Sequence, residues 1–167
     1  MTVEIREARG AAEVAAAGRV TVAANAEFAP GGPDSPFRTA WARYLETMAD
    51  AAGRAREGTL LVAVEDGRVL GTVTLYLGPG SEQWRPEDAM FRFLAVDPAA
   101  RGRGIGRALF QACLERAQAA GKRRMALHTT DRMATARAMY ERAGFKRDPE
   151  GDVELPGVSI IAYAADL

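Results

Sequence analysis

Apolar residues in the first third of the chain recur at two different periods. Residues 3–6 alternate apolar and charged side chains, which predicts a short, half-buried strand. Residues 11–28 are rich in alanine and carry apolar side chains at helical spacing, so we predict a helix that ends before the prolines and glycines of 30–33. A second helix is predicted to start at Pro36 and to end within 53–58. Its apolar stripe contains Phe37, Trp41, Tyr44, Leu45 and Met48.

The hydrophobic pattern then becomes strand-like. Two β-rich runs, 59–64 and 69–77, are joined by residues 65–68, where Asp-Gly is a strong hairpin signal because it tolerates positive φ. A third strand is predicted over 89–96 and a long helix over 104–120. The remaining predicted elements are a strand at 125–130, a helix at 134–143, and strands at 145–147 and 158–164.

The element order β-α-α-β-β-β-α-β-α-β-β is typical of an α/β domain with a mixed sheet. A length of 167 residues suits one domain, and 48% apolar residues suffice for its core, so we expect a single domain over 1–167. The 22 lysines and arginines balance 22 aspartates and glutamates. This neutral charge disfavours a general binder of nucleic acids or of anionic membranes.

Cysteine content and the hydrophobic pattern bear on the expected cellular compartment. Cys113 is the only cysteine, so it cannot form an internal disulfide, and we expect it to be a small core residue. Residues 1–10 have no apolar run typical of a signal peptide, and no segment reaches the ~18 apolar residues of a membrane span. A cytoplasmic location is therefore expected. No cluster of His, Cys, Asp and Glu has metal-ligand spacing, so no metal is expected.

A glycine-rich turn between a strand and a helix is the most informative segment. Glycines at 102, 104 and 106 allow close backbone approach, and arginines at 101, 103 and 107 add positive charge. Backbone N–H groups at such a turn suit a phosphate or pyrophosphate. A dinucleotide fingerprint is excluded because arginine occupies position 107, and no Gly-Lys-Ser/Thr follows as a P-loop requires. Glycine spacing alone is equally compatible with a plain tight turn.

Two motifs that follow one another along the chain resemble those of the GNAT superfamily of acyl-CoA N-acyltransferases, and of its bacterial acetyltransferases in particular. The first is Arg-Gly-Arg-Gly-Ile-Gly at 101–106, preceded by Leu-Ala-Val-Asp-Pro at 94–98. The second, at 136–145, is similar to A-x-x-x-Y-x-x-x-G-F. The resemblance covers nearly the whole chain and is strongest over 59–147. It implies a mixed six- or seven-stranded sheet flanked by helices, with two central parallel strands splayed apart to admit the pantetheine arm of acetyl-CoA.

The resemblance also implies which residues bind acetyl-CoA. The strand edge would pair its backbone with the pantetheine amides and polarise the thioester carbonyl. The turn would hold the pyrophosphate. The residues concerned are Leu94, Ala95 and Val96 on the strand, and Arg101, Gly102, Arg103, Gly104, Ile105, Gly106 and Arg107 in the turn. The chain departs from the family at Met133, where many members have a cofactor-binding asparagine. Thr130 or Asp131 would then replace that contact, or the contact is absent.

Tyr140 matches the tyrosine that protonates the coenzyme A thiolate in the family. A phenol ordinarily titrates near 10, above a thiol at ~8.5, so it stays protonated and can donate. The alternative is a tyrosine that only packs on the core face of its helix. His128, the only histidine, lies on the strand where some members carry a glutamate base, and an imidazole suits proton removal at neutral pH. The alternative for His128 is a hydrogen-bonded polar residue of the sheet.

Other candidates for the base remain open. Glu87 and Asp88 could act through water, Glu82 is a weaker rival, and many relatives use a water chain with no single base. We expect Trp84 to line the substrate mouth, and Trp41 and Tyr44 to belong to the core.

The leading hypothesis is an acetyl-CoA-dependent N-acetyltransferase acting on a primary amine of a small molecule or peptide by direct attack. The runner-up is a non-catalytic acyl-CoA sensor or interaction module, which would not need the hydroxyl of Tyr140. Nucleic-acid binding through the arginines of 101–107 is disfavoured by the neutral charge and the lack of interleaved aromatic residues. A homodimer and a monomer are both compatible with the sequence.

Overall fold

The computed structural model describes residues 2–29, 31, 34–78, 85, 87–155 and 158–167. Within them the helices are α1 Gly10–Asn25, α2 Arg38–Ala49, α3 Ala51–Glu57, α4 Ile105–Ala119 and α5 Ala134–Arg142. The strands are β1 Glu4–Glu7, β2 Thr59–Glu65, β3 Arg68–Tyr76, β4 Ala89–Val96, β5 Arg124–Thr130, β6 Lys146–Arg147, β7 Val153–Leu155 and β8 Val158–Asp166. No helix among the described residues combines the length and apolar character needed to cross a bilayer.

The strands form one mixed sheet with the order β1-β2-β3-β4-β5-β8-β6, and β7 also pairs with β8. All pairings are antiparallel except the one between β4 and β5, which is parallel. The described residues thus give eight strands, against the six or seven expected. The additional strand is β7, whose three residues pair with the start of β8 inside the segment expected as a connection. The mixed α/β architecture itself is confirmed.

Both faces of the central strands are buried, which explains the continuous apolar run of β2. Leu61 and Ala63 face the larger core beneath α4 and α5, whereas Val62 and Val64 face a second core beneath α1. Successive strand residues point to opposite faces, so a strand covered on both sides needs apolar residues at every position. Cys113 is fully buried in the larger core, as expected for a small core residue.

The second predicted helix is in fact two helices, α2 and α3. The break is at Asp50, whose backbone leaves the helical region while its carboxylate accepts a hydrogen bond from the Gly53 N–H at 2.7 Å. Aspartate favours this capping position over a helix interior. The apolar stripe of α2 is also less buried than predicted. Only Met48 of that stripe is fully buried, and Tyr44 is 41% exposed, so the expectation that Tyr44 belongs to the core is wrong.

Candidate active site

The parallel strands β4 and β5 separate after three residue pairs. Ala89 pairs with Met125, Met90 with Ala126 and Phe91 with Leu127, and no further pair joins the two strands. Beyond this point β4 continues to Val96 and β5 to Thr130. The expected splayed central pair is therefore confirmed, and the gap lies at the carboxyl ends of both strands, where open α/β sheets bind ligands.

A β-bulge at Phe93 turns the edge of β4 that borders this gap. Thr74 pairs with Arg92 and Thr72 with Ala95, so three steps on β4 correspond to two on β3. Phe93 has φ +54°, a left-handed conformation that is uncommon for a bulky residue. Such a bulge carries one extra residue, breaks the regular ladder and changes the direction of neighbouring side chains.

The gap forms a cavity of about 350 Å³, which we call the cleft. Its lining residues come from α1, α2, the bulge of β4, the end of β5, α5, β7 and β8. They are Asn25, Tyr44, Phe91, Arg92, Phe93, Leu94, His128, Thr129, Thr130, Met133, Tyr140, Val153 and Ile160. The cleft thus contains both sequence-predicted catalytic side chains and one residue of the predicted donor strand, Leu94.

Tyr140 is held by an aromatic cluster at the base of the cleft. Its ring centroid lies 5.8 Å from that of Phe91, 5.6 Å from Phe110 and 6.4 Å from Phe145, and the residue is only 4% exposed. Burial raises the pKa of its phenol well above the usual value, with a smaller contribution from nearby Cys113. The hydroxyl makes no hydrogen bond to the residues that the structure describes. A buried phenol usually has a partner, so this hydroxyl is available to a ligand in the cleft.

His128 borders the cleft from β5 and is fixed by the backbone of the segment before β7. Its Nε2 lies 2.7 Å from the carbonyl oxygen of Gly151. Because a carbonyl oxygen only accepts hydrogen bonds, Nε2 carries the proton in this contact, and the neutral ring then has its lone pair on Nδ1. This tautomer suits a ring that accepts a proton at Nδ1.

The rival bases are elsewhere or outside the described residues. Asp88 is buried and forms an ion pair with Arg124, which also binds Asp148. Neither Asp88 nor Glu87 borders the cleft; both precede the start of β4, at the end where the parallel strands are still paired. Glu82 lies outside the residues that the structure describes, as does Trp84, the residue expected at the substrate mouth.

The glycine-rich turn contains two glycines in the left-handed backbone conformation. Gly102 and Gly104 both have φ +77°, which only glycine adopts without strain, and a Cβ added to either would meet no atom within 4 Å. Gly104 is the N-cap of α4, and among the described residues no side chain caps the first-turn N–H groups of Ile105, Gly106 and Arg107. An uncapped helix start beside open space fits a phosphate or pyrophosphate.

The three arginines of the turn have different environments. Arg101 forms a 2.7 Å ion pair with Glu27 and donates to the carbonyl oxygen of Ala24 at 3.0 Å. Arg103 forms a 2.7 Å ion pair with Glu65. Arg107 is exposed and makes no ion pair with the described residues. Two of the three predicted rim charges are thus used to fasten the turn to α1 and β2.

Of the other residues considered as contacts of acetyl-CoA, some line the cleft and others do not. Ala95 and Val96 lead from the bulge to the turn without lining the cleft. Met133 lines the cleft at the position where many family members have asparagine, and Thr129 directs its hydroxyl to the Met133 sulfur at 3.6 Å. Thr130 also lines the cleft, whereas Asp131 is exposed outside it. Thr130 is therefore the better placed substitute.

Several lining residues were missed by the sequence analysis, among them Asn25, Arg92 and Phe93. Arg92 and Phe93 belong to a strand that was predicted correctly, but the bulge that presents them has no signal in the hydrophobic pattern. Asn25 is 9% exposed and ends α1, where its Nδ2 donates to the carbonyl oxygen of Thr21 at 2.8 Å. Among the described residues no group of His, Cys, Asp and Glu could hold a metal ion.

The sequence profile described as "Acetyltransferase (GNAT) family" matches residues 23–145. The match spans most of the chain, from the end of α1 to the residue before β6, and the protein belongs to this family.

Individual relatives are also acetyltransferases. A mycothiol acetyltransferase of Cellulomonas flavigena is 34% identical over 139 residues, which cover 72% of this chain and 39% of that protein. An L-2,4-diaminobutyric acid acetyltransferase of Nocardia farcinica is 46% identical over 59 residues, covering 35% of this chain and 28% of the relative. The chain therefore spans about two fifths or less of the length of these relatives.

Solved structures share the fold. An E. coli structure described as the ribosomal-protein-S18-alanine N-acetyltransferase superposes with TM-score 0.69 at 19% identity, covering 99% of this chain and 94% of the other. A Salmonella typhimurium structure described as an acetyltransferase with its cofactor acetyl-CoA gives TM-score 0.69 at 21% identity, covering 100% and 95%. At these identities the likeness is one of fold.

Proposed function

We propose that residues 1–167 form one N-acetyltransferase domain that transfers an acetyl group from acetyl-CoA to a primary amine. The observation that carries the proposal is that Tyr140 is buried, lines the cleft and has a hydroxyl without a hydrogen-bond partner among the described residues. A tyrosine with a purely structural role would be expected to satisfy its hydroxyl within the protein. The acceptor is a small molecule or a peptide, and we propose a cytoplasmic location because the single cysteine requires no oxidising compartment.

The donor site would consist mainly of backbone groups. The uncapped N–H groups of 105–107 would bind the pyrophosphate, with Gly102 and Gly104 leaving room for it and Arg107 adding charge. The edge of β4 beyond Phe91 has no partner on β5, so its backbone groups can pair with an extended amide chain. When bound, acetyl-CoA supplies the acetyl group as a thioester, whose carbon–sulfur bond breaks as the amine attacks.

Two side chains would move the protons of this reaction. Tyr140 keeps its proton at neutral pH because burial raises its pKa, so it can donate to the sulfur as the thiolate leaves. His128 would accept the proton of the attacking amine at Nδ1, while the contact of Nε2 with Gly151 holds the ring in position. Asp88 is already engaged by Arg124, and this favours His128 over Asp88 as the base.

The relatives favour an amine acceptor without selecting one. One is described as an acetyltransferase of L-2,4-diaminobutyric acid, which is a diamine, and a structural neighbour as an enzyme that acts on a ribosomal-protein alanine. Small-molecule and peptide amines are thus both represented.

The test is an amine panel in which the release of free thiol from acetyl-CoA is followed. Thermal unfolding with and without acetyl-CoA is measured on the same preparation. We expect acetyl-CoA to raise Tm and at least one amine to accelerate thiol release. A protein that is stabilised by acetyl-CoA but acetylates no amine would be the acyl-CoA sensor instead.

A further inference from the structure

Asn25 contributes a buried side-chain amide to the lining of the cleft. It is the last residue of α1 and is only 9% exposed. Its Nδ2 donates to the carbonyl oxygen of Thr21 at 2.8 Å. Because a carbonyl oxygen only accepts hydrogen bonds, this contact assigns the two ends of the amide, with the nitrogen towards Thr21 and Oδ1 on the other branch.

The amide oxygen of Asn25 lacks the kind of partner that its nitrogen has. No donor among the described residues forms a hydrogen bond to Oδ1. Buried polar atoms are normally paired, and leaving such a group unpaired is costly. A role in ending α1 would explain the bond from Nδ2 to Thr21, but not a buried acceptor left open in a residue that lines the cleft. Oδ1 is therefore suited to a ligand that brings a hydrogen-bond donor.

The end of α1 is fastened to the proposed donor site. Arg101 of the glycine-rich turn donates to the carbonyl oxygen of Ala24 at 3.0 Å and forms an ion pair with Glu27 at 2.7 Å. These two residues lie directly before Asn25 and two positions after it. Thr21, which receives the amide of Asn25, is fully buried. A group bound to Oδ1 would therefore be held in a fixed position relative to the donor site.

The chemistry of the cleft favours the attacking amine as the group that Oδ1 binds. The described lining includes no aspartate or glutamate, so an ammonium group that enters the cleft finds no carboxylate among these side chains. A carboxylate would stabilise the ammonium form and raise the pKa of the amine, which opposes the deprotonation that attack requires. A neutral amide oxygen accepts an N–H from either form, so it can orient the nitrogen and favours the protonated state less than a carboxylate would.

We propose that Oδ1 of Asn25 accepts a hydrogen bond from the attacking amine and orients its nitrogen towards the thioester. The inference rests on the proposed function, since it adds an acceptor-binding residue to the same site. Of the three N–H bonds of the ammonium, one gives its proton to Nδ1 of His128, and the lone pair released there forms the bond to the acetyl carbon. The electron pair of the carbon–sulfur bond leaves with sulfur, which receives the proton of Tyr140. A second proton of the nitrogen restores the phenol, and the N–H donated to Asn25 remains in the amide product.

Asn25→Ser and Asn25→Ala separate amine binding from the contact that ends α1. A serine hydroxyl can donate to the carbonyl oxygen four residues earlier, as Thr21 does to Ala17 at 2.8 Å, but it places no acceptor at the position of Oδ1. We expect both variants to raise KM for the fastest amine of the panel about tenfold or more, while Tm falls further in Asn25→Ala. A wild-type KM in Asn25→Ser would show a purely structural residue and overturn the inference. The matched control is Gln118→Ser, which removes an exposed amide near the end of α4 and should leave KM unchanged.

Acetyl-CoA is the other source of N–H donors, because its pantetheine arm contains amides. The KM for acetyl-CoA and the rise in Tm that acetyl-CoA causes distinguish this source from the amine. We expect both quantities to agree within about twofold between the wild type, Asn25→Ser and Gln118→Ser. Loss of the Tm response in Asn25→Ser alone would assign Oδ1 to the donor, which contradicts the inference and leaves the proposed function standing.

Asn25 is the only asparagine of the chain, so isotope labelling of the asparagine amide nitrogen gives one pair of side-chain NMR signals. The protein saturated with coenzyme A is titrated with the fastest amine of the panel, or with ethanolamine, glycine and trialanine where none is acetylated. Each amine is compared with its N-trimethyl analogue, which keeps the positive charge but has no N–H at that nitrogen. We expect an amine to shift the signals and its trimethyl analogue to shift them far less.

The NMR titration also separates the inference from the proposed function. Signals that respond to an amine which is never acetylated would support amine binding at Asn25 and contradict the enzyme. Signals that respond equally to an amine and its trimethyl analogue, or to no amine, would overturn the inference. Acetylation of an amine to which the signals do not respond would overturn the inference and leave the proposed function standing.

Discussion

Phe91 of β4 and Leu127 of β5 form the last backbone pair between the two parallel strands. Directly after this pair, β4 enters its bulge and β5 presents His128, while the ring of Phe91 also packs against that of Tyr140 at 5.8 Å. The point where the sheet opens is thus also the point to which the candidate acid is anchored. A change in the position of this pair would move the opening and Tyr140 together, which ties catalytic geometry to sheet register.

Tyr140→Phe should leave binding intact and remove the proton donor. The phenylalanine ring keeps the contacts with Phe91 and Phe110, so acetyl-CoA should raise Tm as in the wild type. We expect kcat and kcat/KM to fall together by roughly 10²-fold, the effect of losing a general acid. Steady-state kinetics and thermal unfolding on one preparation check this, and full activity would exclude Tyr140 as the acid.

Tyr163→Phe is the matched control for the loss of a phenol hydroxyl. Tyr163 is also buried, but its O–H donates to Glu141 at 2.7 Å and accepts from Arg137 Nε at 3.3 Å. Loss of these contacts should lower the free energy of unfolding by about 1–2 kcal/mol and change kcat by less than about twofold. Tyr140→Phe should therefore lose activity, whereas Tyr163→Phe should lose stability and keep its activity.

Gly104→Glu should abolish stabilisation by acetyl-CoA, because it places bulk and negative charge in the turn. A ligand at a hundredfold excess over Kd stabilises by about 2.7 kcal/mol, and this shift should disappear. Gly121→Glu is the control at the other end of α4, with φ +75° and equally open surroundings. Both variants bear a similar backbone cost of roughly 1–2 kcal/mol, but only the first should lose the response to acetyl-CoA. A full response in Gly104→Glu would place the donor site elsewhere.

His128→Gln tests the base while keeping a donor to the carbonyl oxygen of Gly151. A base must be unprotonated to act, so the wild-type kcat/KM should fall on the acid side of its pH profile. The variant should be slower by about 10²-fold at neutral pH and should lack this acid limb. A variant with the wild-type rate and the same limb would assign the base to water or to another group.

Glu13 gives a prediction for stability at low pH. Its carboxylate receives two 2.8 Å hydrogen bonds from Arg6 and one from the Arg9 N–H at 2.6 Å, and these contacts lower its pKa from about 4.5 to about 2. Because the folded state holds this proton less tightly than the unfolded state, the stabilisation is full above about pH 4.5 and is lost as pH falls towards 2.

Glu13→Gln should therefore be less stable than the wild type at neutral pH, and the difference should shrink through that window. Glu46→Gln, an exposed change on α2, should follow the wild-type curve. Thermal unfolding between pH 2 and 7 measures all three proteins, and a constant difference across the window would contradict the depressed pKa of Glu13.

Elements with strong local signals were predictable from the sequence. The hairpin at Asp66-Gly67 and strand β4 are where the pattern places them, because turn chemistry and hydrophobic period act over a few residues. The turn at 101–106 was also recognisable, since its glycines are required by its backbone conformation. His128 and Tyr140 were proposed from a motif, and the structure brings both to one cleft.

Features that depend on tertiary packing were not predictable. The break at Asp50 is stabilised in part by Arg54, which donates to the last carbonyls of α2 from the following helix. The exposure of Tyr44 follows from the way α2 packs against α1, which an amphipathic pattern does not specify. The bulge at Phe93 depends on how β4 pairs with β3, so the presence of Arg92 and Phe93 in the cleft could not be found from spacing alone.

The backbone conformation of Phe93 and the contacts of its ring favour different residue types at this position. A φ of +54° favours glycine or asparagine, whereas two guanidinium groups within 5 Å of the centroid require an aromatic face. Glycine would relax the backbone but leave both cations without the ring, and a β-branched residue would fail on both counts. Position 93 should therefore tolerate very few of the twenty amino acids, and in a saturation-mutagenesis library the surviving variants should be confined to tyrosine, tryptophan and histidine.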